Sequence, residues 1–432
     1  MQPTDRPAPL TAQARPLALA RPRMTIRRVL RVLGPAWVVM LADVDAASVL
    51  TAAKAGSDFG YAMLLPLAAL IPVLYLVQEM TARLAIGTGL GHAELIRERY
   101  GFRWGAIAVV SMVIIDLLAY VAEFAGIVLG ASLVGIPAGL AVMGALALHS
   151  VMVLTGSYRR FELIAIVLSL ALFAFVWLAV ALGPEPGAII AGLSPAQPFD
   201  RPGYLDLVVA TVGAVIMPWM LFYQQAATVD KGLGPEDLPA ARWETLIGAI
   251  ASEVLMAAVV IAAAAATAAG AAGAEDNVVG GLALPAGLAN LAGGWSGLLI
   301  AVGMIGSGLL AAVVISLSSA WAWAELFRWP RSLNLSLRQA PAFYALYLVE
   351  VVPAAVVALV AQDLVSVVID AMILNVVVLA VPLAFLVRLS SDRTLLGPLA
   401  NSRRRTVVLW ALTAGLLVLG LTSTFGIIRG GA

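Results

Sequence analysis

The sequence predicts an all-α integral membrane protein. Of its 432 residues, 62% are hydrophobic and 12% are charged, and the mean hydropathy is +0.99, far above the range of soluble globular proteins. Apolar windows of about 20 residues, the length that crosses a hydrocarbon core ~30 Å thick, recur along the chain. They show no strand alternation, and a membrane-spanning backbone must satisfy its own hydrogen bonds, so we predict that each window is a helix.

The apolar windows define the order of the predicted helices. Their approximate spans are 34–56, 60–86, 104–131, 134–155, 161–183, 204–228, 244–270, 295–325, 340–361, 364–388 and 405–428. The linker 184–203 divides the first ten into two sets of five, which is the layout of an odd-numbered repeat inserted twice with opposite topology.

This division predicts five segments. They are a disordered tail 1–31, a first five-helix repeat 32–183, an extracellular linker 184–203, a second repeat 204–390, and a final segment 391–432 with a cytoplasmic loop and the eleventh helix.

The basic residues predict the orientation of the chain. Arginine and lysine are concentrated in alternate loops, beginning with Arg23, Arg27, Arg28 and Arg31 before the first span, and such loops face the cytoplasm. Residues 1–31 are rich in Pro, Arg and Ala and lack the apolar core of a secretory signal. We expect a bacterial inner-membrane protein whose amino terminus is cytoplasmic and, because eleven spans are odd, whose carboxyl terminus is outside.

Composition and motifs exclude several classes of function. The chain has no cysteine, so disulfides and thiolate metal sites are absent, and a net charge of +1 without a basic surface argues against nucleic acid as a partner. No HExxH, GxSxG or glycine-rich phosphate loop is present. We therefore predict a non-enzyme without a resident cofactor, monomeric in the lipid bilayer, whose partner is a small substrate.

The first span places two acids in an apolar stretch. Asp43 and Asp45 lie within VVMLADVDAASVL, where each carboxylate costs ~2.5–3.5 kcal/mol on insertion scales and is typical of an ion or proton path. Residues two apart point to opposite faces of a continuous helix. Both carboxylates reach one site only if the backbone unwinds between them, and the alternative is that one of them pairs with a buried arginine or caps a half-helix.

The sixth span has a proline near its middle. Pro218 removes one helical hydrogen bond and clashes with the preceding turn, which frees carbonyls around Ala214 and Val215 to bind a cation. Met217 stands beside this break, and its thioether is a soft ligand suited to a transition metal. Ordinary packing is the alternative for this methionine.

Further polar residues lie in the apolar windows. Glu123 is the first candidate for a proton-titrating carboxylate, and Glu253 and Asp370 are second candidates. We interpret His149 as a hydrogen-bonded buried histidine.

Several motifs together resemble the Nramp family of proton-coupled divalent-metal transporters over roughly residues 30–400. The motifs are GP at 34–35, FGY at 59–61, the segment QEMTARLAIGTGLGHAELIRERYG that contains Gln78, AEF at 122–124, and VIMP at 215–218.

This resemblance implies a LeuT-like fold with two inverted five-helix repeats, an eleventh helix, and discontinuous helices 1 and 6. It also implies that Asp45 and Met217 bind metal, that the backbone carbonyl of Ala214 completes the site, and that Glu123 is tied to proton movement.

The sequence departs from the family pattern at the site itself. The family motif Asp-Pro-Gly-Asn reads Asp-Ala-Ala-Ser at 45–48, which removes the helix breaker and the amide ligand. Trp219 and Gln224 stand where the family has histidines, and Tyr120 stands where it has an aspartate. Asp43 is an additional acid.

The leading hypothesis is a secondary active importer of a divalent cation of the manganese or iron class, with proton coupling as an accompanying hypothesis. The alternatives are a related carrier of magnesium or of a metal chelated by an organic acid such as citrate, and a transport-dead membrane sensor. The candidate ligands are Asp45, Met217, Ala214, Asp43 and Ser48. The candidate proton-coupling or pathway residues are Glu123, Tyr120, Gln78, Trp219, Gln224, Glu253 and Asp370.

Overall fold

The computed structural model describes residues 32–154, 157–268, 296–360 and 364–430, and the regular structure of these ranges is helical. We number the membrane helices α1 to α11 in chain order. They are α1a Pro35–Ala42, α1b Ala46–Phe59, α2 Leu64–Thr88, α3 Phe102–Leu133, α4 Ala138–Leu154, α5 Tyr158–Ser169 continued by Phe173–Ala181, α6a Tyr204–Val215, α6b Pro218–Asp230, α7 Leu238–Ala268, α8 Ser296–Phe327, α9 Pro341–Val349 continued by Val351–Val360, α10 Leu364–Ser390 and α11 Arg403–Gly430.

These helices confirm the predicted all-α membrane fold. In the described part of the chain, nine helical stretches are long and apolar enough to cross a membrane; one of them, Ala46–Thr88, contains both α1b and α2, and Ala138–Val153 is a shorter apolar helix. The outer surface is apolar as well, with Leu140 and Met143 each 66% exposed and Val180 72% exposed. Such a surface suits lipid rather than water. The predicted tail 1–31 lies outside the described residues.

Helix α1 is broken at its two aspartates. Its first half ends at Ala42, and its second half begins at Ala46 with Asp45 as an extended N-cap residue (φ −85°, ψ 177°). The break forms although the segment contains no proline or glycine. The cap supplies the reason: Asp45 Oδ1 accepts the backbone N–H of Ser48 at 2.6 Å, and aspartate is among the preferred residues at this position.

Helix α6 is broken where the proline predicts. Ile216 and Met217 are extended, and Pro218 is the first residue of α6b, a position where its missing N–H leaves no helical bond unmade. The amide of Asn375 on α10 binds this break, since its Nδ2 donates to the carbonyls of Gly213 at 2.6 Å and Ile216 at 3.3 Å. The predicted discontinuity of helices 1 and 6 is therefore confirmed.

Close helix packing holds the broken part of α1 against α3. The Cβ of Ala46 approaches Gly126 of α3 so closely that a Cβ built on the glycine would lie 2.3 Å from it. A Cβ at Gly308 of α8 would likewise lie 2.6 Å from the carbonyl oxygen of Glu123. Small residues at these positions let α3 lie directly behind the break in α1, with α8 on another face of α3.

The amino-terminal end of α1a is fixed to α7. Glu244 Oε1 accepts the backbone N–H groups of Gly34 at 2.5 Å and Trp37 at 3.0 Å. Gly34 has φ +152°, and a Cβ there would lie 1.6 Å from Glu162 Oε1, so a side chain is excluded at this position. Lys231 joins the same corner because its Nζ donates to both Leu33 O and Glu162 Oε1 at 2.6 Å.

Candidate substrate site between the two broken helices

Asp45 presents one free carboxylate oxygen at the break in α1. Oδ1 is occupied by the cap of α1b, whereas Oδ2 is buried and has no hydrogen-bond donor. Glu123 lies beside it: Glu123 Oε2 accepts the backbone N–H of Ala46 at 3.0 Å, and the two carboxyl groups interact directly. A cation or a proton placed between them would relieve the repulsion of two adjacent carboxylates.

Ser48 connects the break in α1 to the break in α6. Its hydroxyl donates to the carbonyl oxygen of Ala214 at 3.0 Å. A carbonyl oxygen has two lone pairs, so Ala214 retains one for a cation. The predicted ligands Asp45, Ser48 and Ala214 thus form a continuous chain of contacts across the two breaks.

Met217 lies in the break of α6, next to Trp219. The indole Nε1 of Trp219 donates to Met217 Sδ at 3.2 Å, and the backbone N–H of Met217 approaches Met220 Sδ at 3.4 Å. The tryptophan that replaces a family histidine is therefore in contact with the candidate thioether ligand. In addition, Ser318 Oγ on α8 donates to Trp219 O at 2.8 Å, which fixes this turn of α6b.

A second pair of acids lies near the break. Asp43 is 1% exposed and interacts electrostatically with both Asp45 and Glu253 of α7. Both oxygens of Glu253, as well as Asp43 Oδ1, are buried without a hydrogen-bond donor. The structure therefore brings Asp43, Asp45, Glu123 and Glu253 into one acidic region, which attracts cations and repels free anions.

The site is closed to solvent in this conformation. Asp45, Ser48, Ala214 and Met217 are all 0% exposed. Among the described residues, no group of three or more His, Cys, Asp or Glu side chains is arranged as a ready-made metal site. The available metal-binding atoms are instead mixed: the oxygens of a carboxylate, a hydroxyl and a backbone carbonyl, and the sulfur of a thioether.

A polar seam leads away from the site between α3 and α8. Tyr120 OH donates to Ser316 Oγ at 3.0 Å, and His149 Nε2 lies 2.9 Å from the same oxygen. One turn further along α3, Asp116 Oδ2 accepts Ser319 Oγ at 3.0 Å. The interpretation of His149 as a hydrogen-bonded buried histidine is confirmed. Tyr120 lies between Glu123 and Asp116 on one face of α3.

Three further candidates lie on α2, α6b and α10. Gln78 of α2 is fully buried, and neither of its amide atoms has a hydrogen-bond partner. Gln224 of α6b donates through Nε2 to Thr245 Oγ1 of α7 at 3.4 Å. Asp370 has an exposed side chain on α10, in contrast to the buried acids around Asp45.

Three residues that fix the elements around the site were not predicted to do so. Asn375 binds the break of α6, Ser316 joins Tyr120 to His149, and Glu244 holds α1a. All three contacts join residues more than 160 positions apart. A single serine or asparagine in an apolar window does not indicate which helix it faces. Only the run SLSSA at 316–320 marks α8 as a polar face.

Sequence comparison finds relatives among bacterial metal transporters. A divalent metal cation transporter MntH from Xanthomonas campestris is 30% identical over 237 residues, which span 52% of this chain and 52% of that protein. The chain thus aligns with about half the length of this curated relative. A second MntH, from Mycobacterium tuberculosis, is 25% identical over 426 residues, 92% of each protein.

Structure comparison identifies the fold. A manganese transporter from Eremococcus coleocola matches with a TM-score of 0.75 at 20% identity, covering 92% of this chain and 86% of that chain. The fold is LeuT-like, as the broken α1 and α6 indicate. Residues 36–426 match the family described as natural resistance-associated macrophage protein-like. The chain therefore belongs to the Nramp family.

Proposed function

We propose that this protein is a secondary active transporter that imports a divalent metal cation of the manganese or iron class. The observation that carries the proposal is the meeting of two helix breaks, where Ser48 donates its backbone N–H to Asp45 and its hydroxyl to the Ala214 carbonyl. The names of the MntH relatives and of the Eremococcus manganese transporter support the same class of substrate.

In this proposal each donor has a distinct role. Asp45 Oδ2 supplies the negative charge, Ala214 O and Ser48 Oγ supply neutral oxygens, and Met217 Sδ favours a transition metal over a hard cation. Asp43 adds a second carboxylate near the first. Closure of the site from solvent fits an occluded step of alternating access.

The contact between Trp219 and Met217 favours a second candidate, transport of magnesium or of a metal bound to an organic acid such as citrate. An indole N–H directed at the thioether competes with a metal for the sulfur lone pairs. The remaining donors are oxygens, which suit magnesium. The acidic surroundings argue against a free organic anion, whereas a metal chelate carries compensating charge.

Proton coupling is part of the proposal. Asp45 and Glu123 carry facing carboxyl groups, and Tyr120, Ser316 and His149 provide a hydrogen-bonded seam beside them. A carboxyl pair that holds a proton when the cation is absent would exchange it for the cation. We also propose that the protein lies in the bacterial inner membrane with its amino terminus in the cytoplasm, because the basic loops alternate in that sense.

The test is uptake into proteoliposomes of manganese, magnesium, and magnesium with radiolabelled citrate. The variants are Asp45→Asn and Met217→Ala, and the matched controls are Asp206→Asn and Met143→Ala, which change exposed side chains of the same types. Saturable manganese uptake that is lost in both site variants and kept in both controls supports the leading candidate.

Other outcomes separate the candidates. Uptake of magnesium or citrate that depends on Asp45 but not on Met217 would support the second candidate and overturn the first. Absence of uptake for all three substrates, with folded protein in the vesicles, would contradict both. An imposed pH gradient that leaves the rate of uptake unchanged would contradict proton coupling.

A further inference from the structure

Three arginines converge on one buried carboxylate in the carboxyl-terminal half of α2. Glu79 is 2% exposed, and its Oε1 accepts Nε of Arg83 at 3.0 Å and Nε of Arg242 at 2.9 Å. Its Oε2 accepts Nη2 of Arg83 at 3.2 Å and Nη2 of Arg405. We call these four residues the arginine cluster. It joins α2 to the first turns of α7 and α11.

The arginine cluster carries more positive charge than its carboxylate balances. Three guanidinium groups against one carboxylate leave a net charge of +2 among the four side chains. Arg83 is buried and also donates hydrogen bonds to Leu399 O and, at 2.7 Å, to Asn401 Oδ1. These neutral acceptors fix the position of Arg83, and the other two arginines are the ones that reach the surface.

Arg242 and Arg405 have donors left to offer. Their side chains are 41% and 28% exposed, so each presents part of its guanidinium group outward. Nε of Arg405 is buried and has no hydrogen-bond partner. A planar guanidinium has five donors in a fork that matches the oxygens of a phosphate group. Two such forks side by side on a shared carboxylate form a natural phosphate-binding arrangement.

The surroundings of the arginine cluster place it at the depth of lipid headgroups. Directly after Arg242, α7 exposes an apolar stripe of Trp243, Ile247, Ile250 and Val254, spaced as one helix face. Directly after Arg405, α11 exposes further apolar residues: Val407 (61%), Val408 (60%) and Trp410 (40%). Tryptophan is enriched at the membrane–water interface, and basic residues flanking it contact phosphates.

We propose that the arginine cluster binds a phosphate group, supplied by the headgroup of an anionic phospholipid whose acyl chains lie along the exposed stripes of α7 and α11. The bound phosphate accepts hydrogen bonds from Arg242 and Arg405 and balances the excess charge of the cluster. It thereby links α7 and α11 through α2, independently of what the protein transports.

The test measures two quantities: the melting temperature of the protein, and the number of lipids it retains in native mass spectrometry. Purified protein in neutral detergent receives phosphatidylglycerol, phosphatidylcholine or inorganic phosphate. A chloride solution of the same ionic strength is the reference for inorganic phosphate. The variant is Arg242→Gln with Arg405→Gln. The matched control is Arg159→Gln with Arg160→Gln, which removes two exposed arginines elsewhere.

We expect phosphatidylglycerol to raise the melting temperature of the wild type more than phosphatidylcholine does. We expect the double variant to bind it about 25-fold more weakly, about fivefold for each interfacial arginine, and the control to bind it as the wild type does. If inorganic phosphate gives the same shift and displaces the lipid, the proposed phospholipid source is wrong and the phosphate is a soluble one.

Equal effects of the two lipids on the wild type would overturn the proposal, as would equal losses in the variant and the control. Should the glutamine variant not fold, Arg242→Lys with Arg405→Lys keeps both charges but removes the planar forks. Weaker phosphatidylglycerol binding in that variant supports the proposal, and unchanged binding contradicts bidentate recognition.

Discussion

At the scale of single residues, the two carboxylate oxygens of Asp45 differ: one caps a helix, and the other is available to a cation. Oδ1 caps α1b through Ser48 N, and Oδ2 is left without a donor in a closed, acidic region. Because aspartate and asparagine are similarly good N-caps, the negative charge can be removed without removing the cap. The two roles are therefore separable by experiment.

We predict that Asp45→Asn lowers the rate of cation uptake at least about tenfold. The melting temperature should stay nearly unchanged, because asparagine still caps α1b. Asp45→Ala loses uptake and also about 1 kcal/mol of stability with the cap. Uptake assays and thermal unfolding of both variants measure this. Equal destabilisation in the two variants would mean that the charge, rather than the cap, maintains the break.

The indole N–H of Trp219 donates to Met217 Sδ, the thioether of the proposed site. We predict that Trp219→Phe, which removes the indole N–H but keeps an aromatic ring, raises the preference for manganese over magnesium about threefold, the effect of one weak hydrogen bond. Competition uptake measures the ratio. Trp177→Phe, at an exposed position on α5, is the control. An unchanged ratio would argue that the sulfur does not bind the transported ion.

At the scale of helices, side chains of other helices fix the start of α1a in the closed conformation. Glu244 accepts two backbone N–H groups at its first turn, and the Lys231–Glu162 pair closes the adjacent corner. These contacts were not predictable, because Glu244 and Gly34 are 210 positions apart. The break that separates α1a from α1b was expected from the family resemblance, and the paired aspartates were consistent with it, because both carboxylates reach one site only on an unwound backbone.

We predict that Glu244→Gln loosens α1a. Glutamine keeps the acceptor oxygen but loses the charge, and hydrogen bonds to charged acceptors are stronger by about 1 kcal/mol. The chain has no cysteine, so a single Ala47→Cys substitution beside the break reports accessibility to an impermeant maleimide. We expect the cysteine introduced at position 47 to be labelled from the α1a side about tenfold faster in the Glu244→Gln variant than in the protein that retains Glu244. Glu236→Gln, at an exposed position, should leave it unchanged.

At the scale of the whole molecule, the eleven predicted spans agree with the helices to within a few residues at most ends. This agreement arises because a bilayer requires about 20 apolar residues for each crossing, which is a strong signal in one dimension. Which helix faces which is not encoded in that signal. Asn375, Ser316 and Glu244 illustrate this, since each acts across the fold on a residue far away in sequence.

His92 connects the segment after α2 to α6b, and we expect it to make the global stability depend on pH. Its Nδ1 lies 3.0 Å from Gln225 Oε1, and burial lowers the pKa of His92 to about 4. The unfolded chain, with a pKa near 6.5, binds more protons between these values, so stability is complete above about pH 6.5 and is lost as the pH falls towards 4.

We predict that unfolding free energy falls by up to about 3 kcal/mol over that range. Denaturation at pH 7 and pH 5 measures the slope, and His92→Gln should flatten it. A slope that persists in His92→Gln would assign the pH dependence to other groups.

The break in α1 has a mechanical consequence. Between Asp43 and Ser48 it contains no proline or glycine. It is therefore maintained by the backbone N–H groups of Ala46 and Ser48, which donate to Glu123 and Asp45, rather than by a covalent restriction. The length of this segment can therefore change, because each residue that passes from extended to helical backbone shortens it by about 2 Å. Removing both acceptors, as in Asp45→Ala with Glu123→Ala, would then let the two ends of α1 approach each other, which spin labels at its ends would record as a shorter distance.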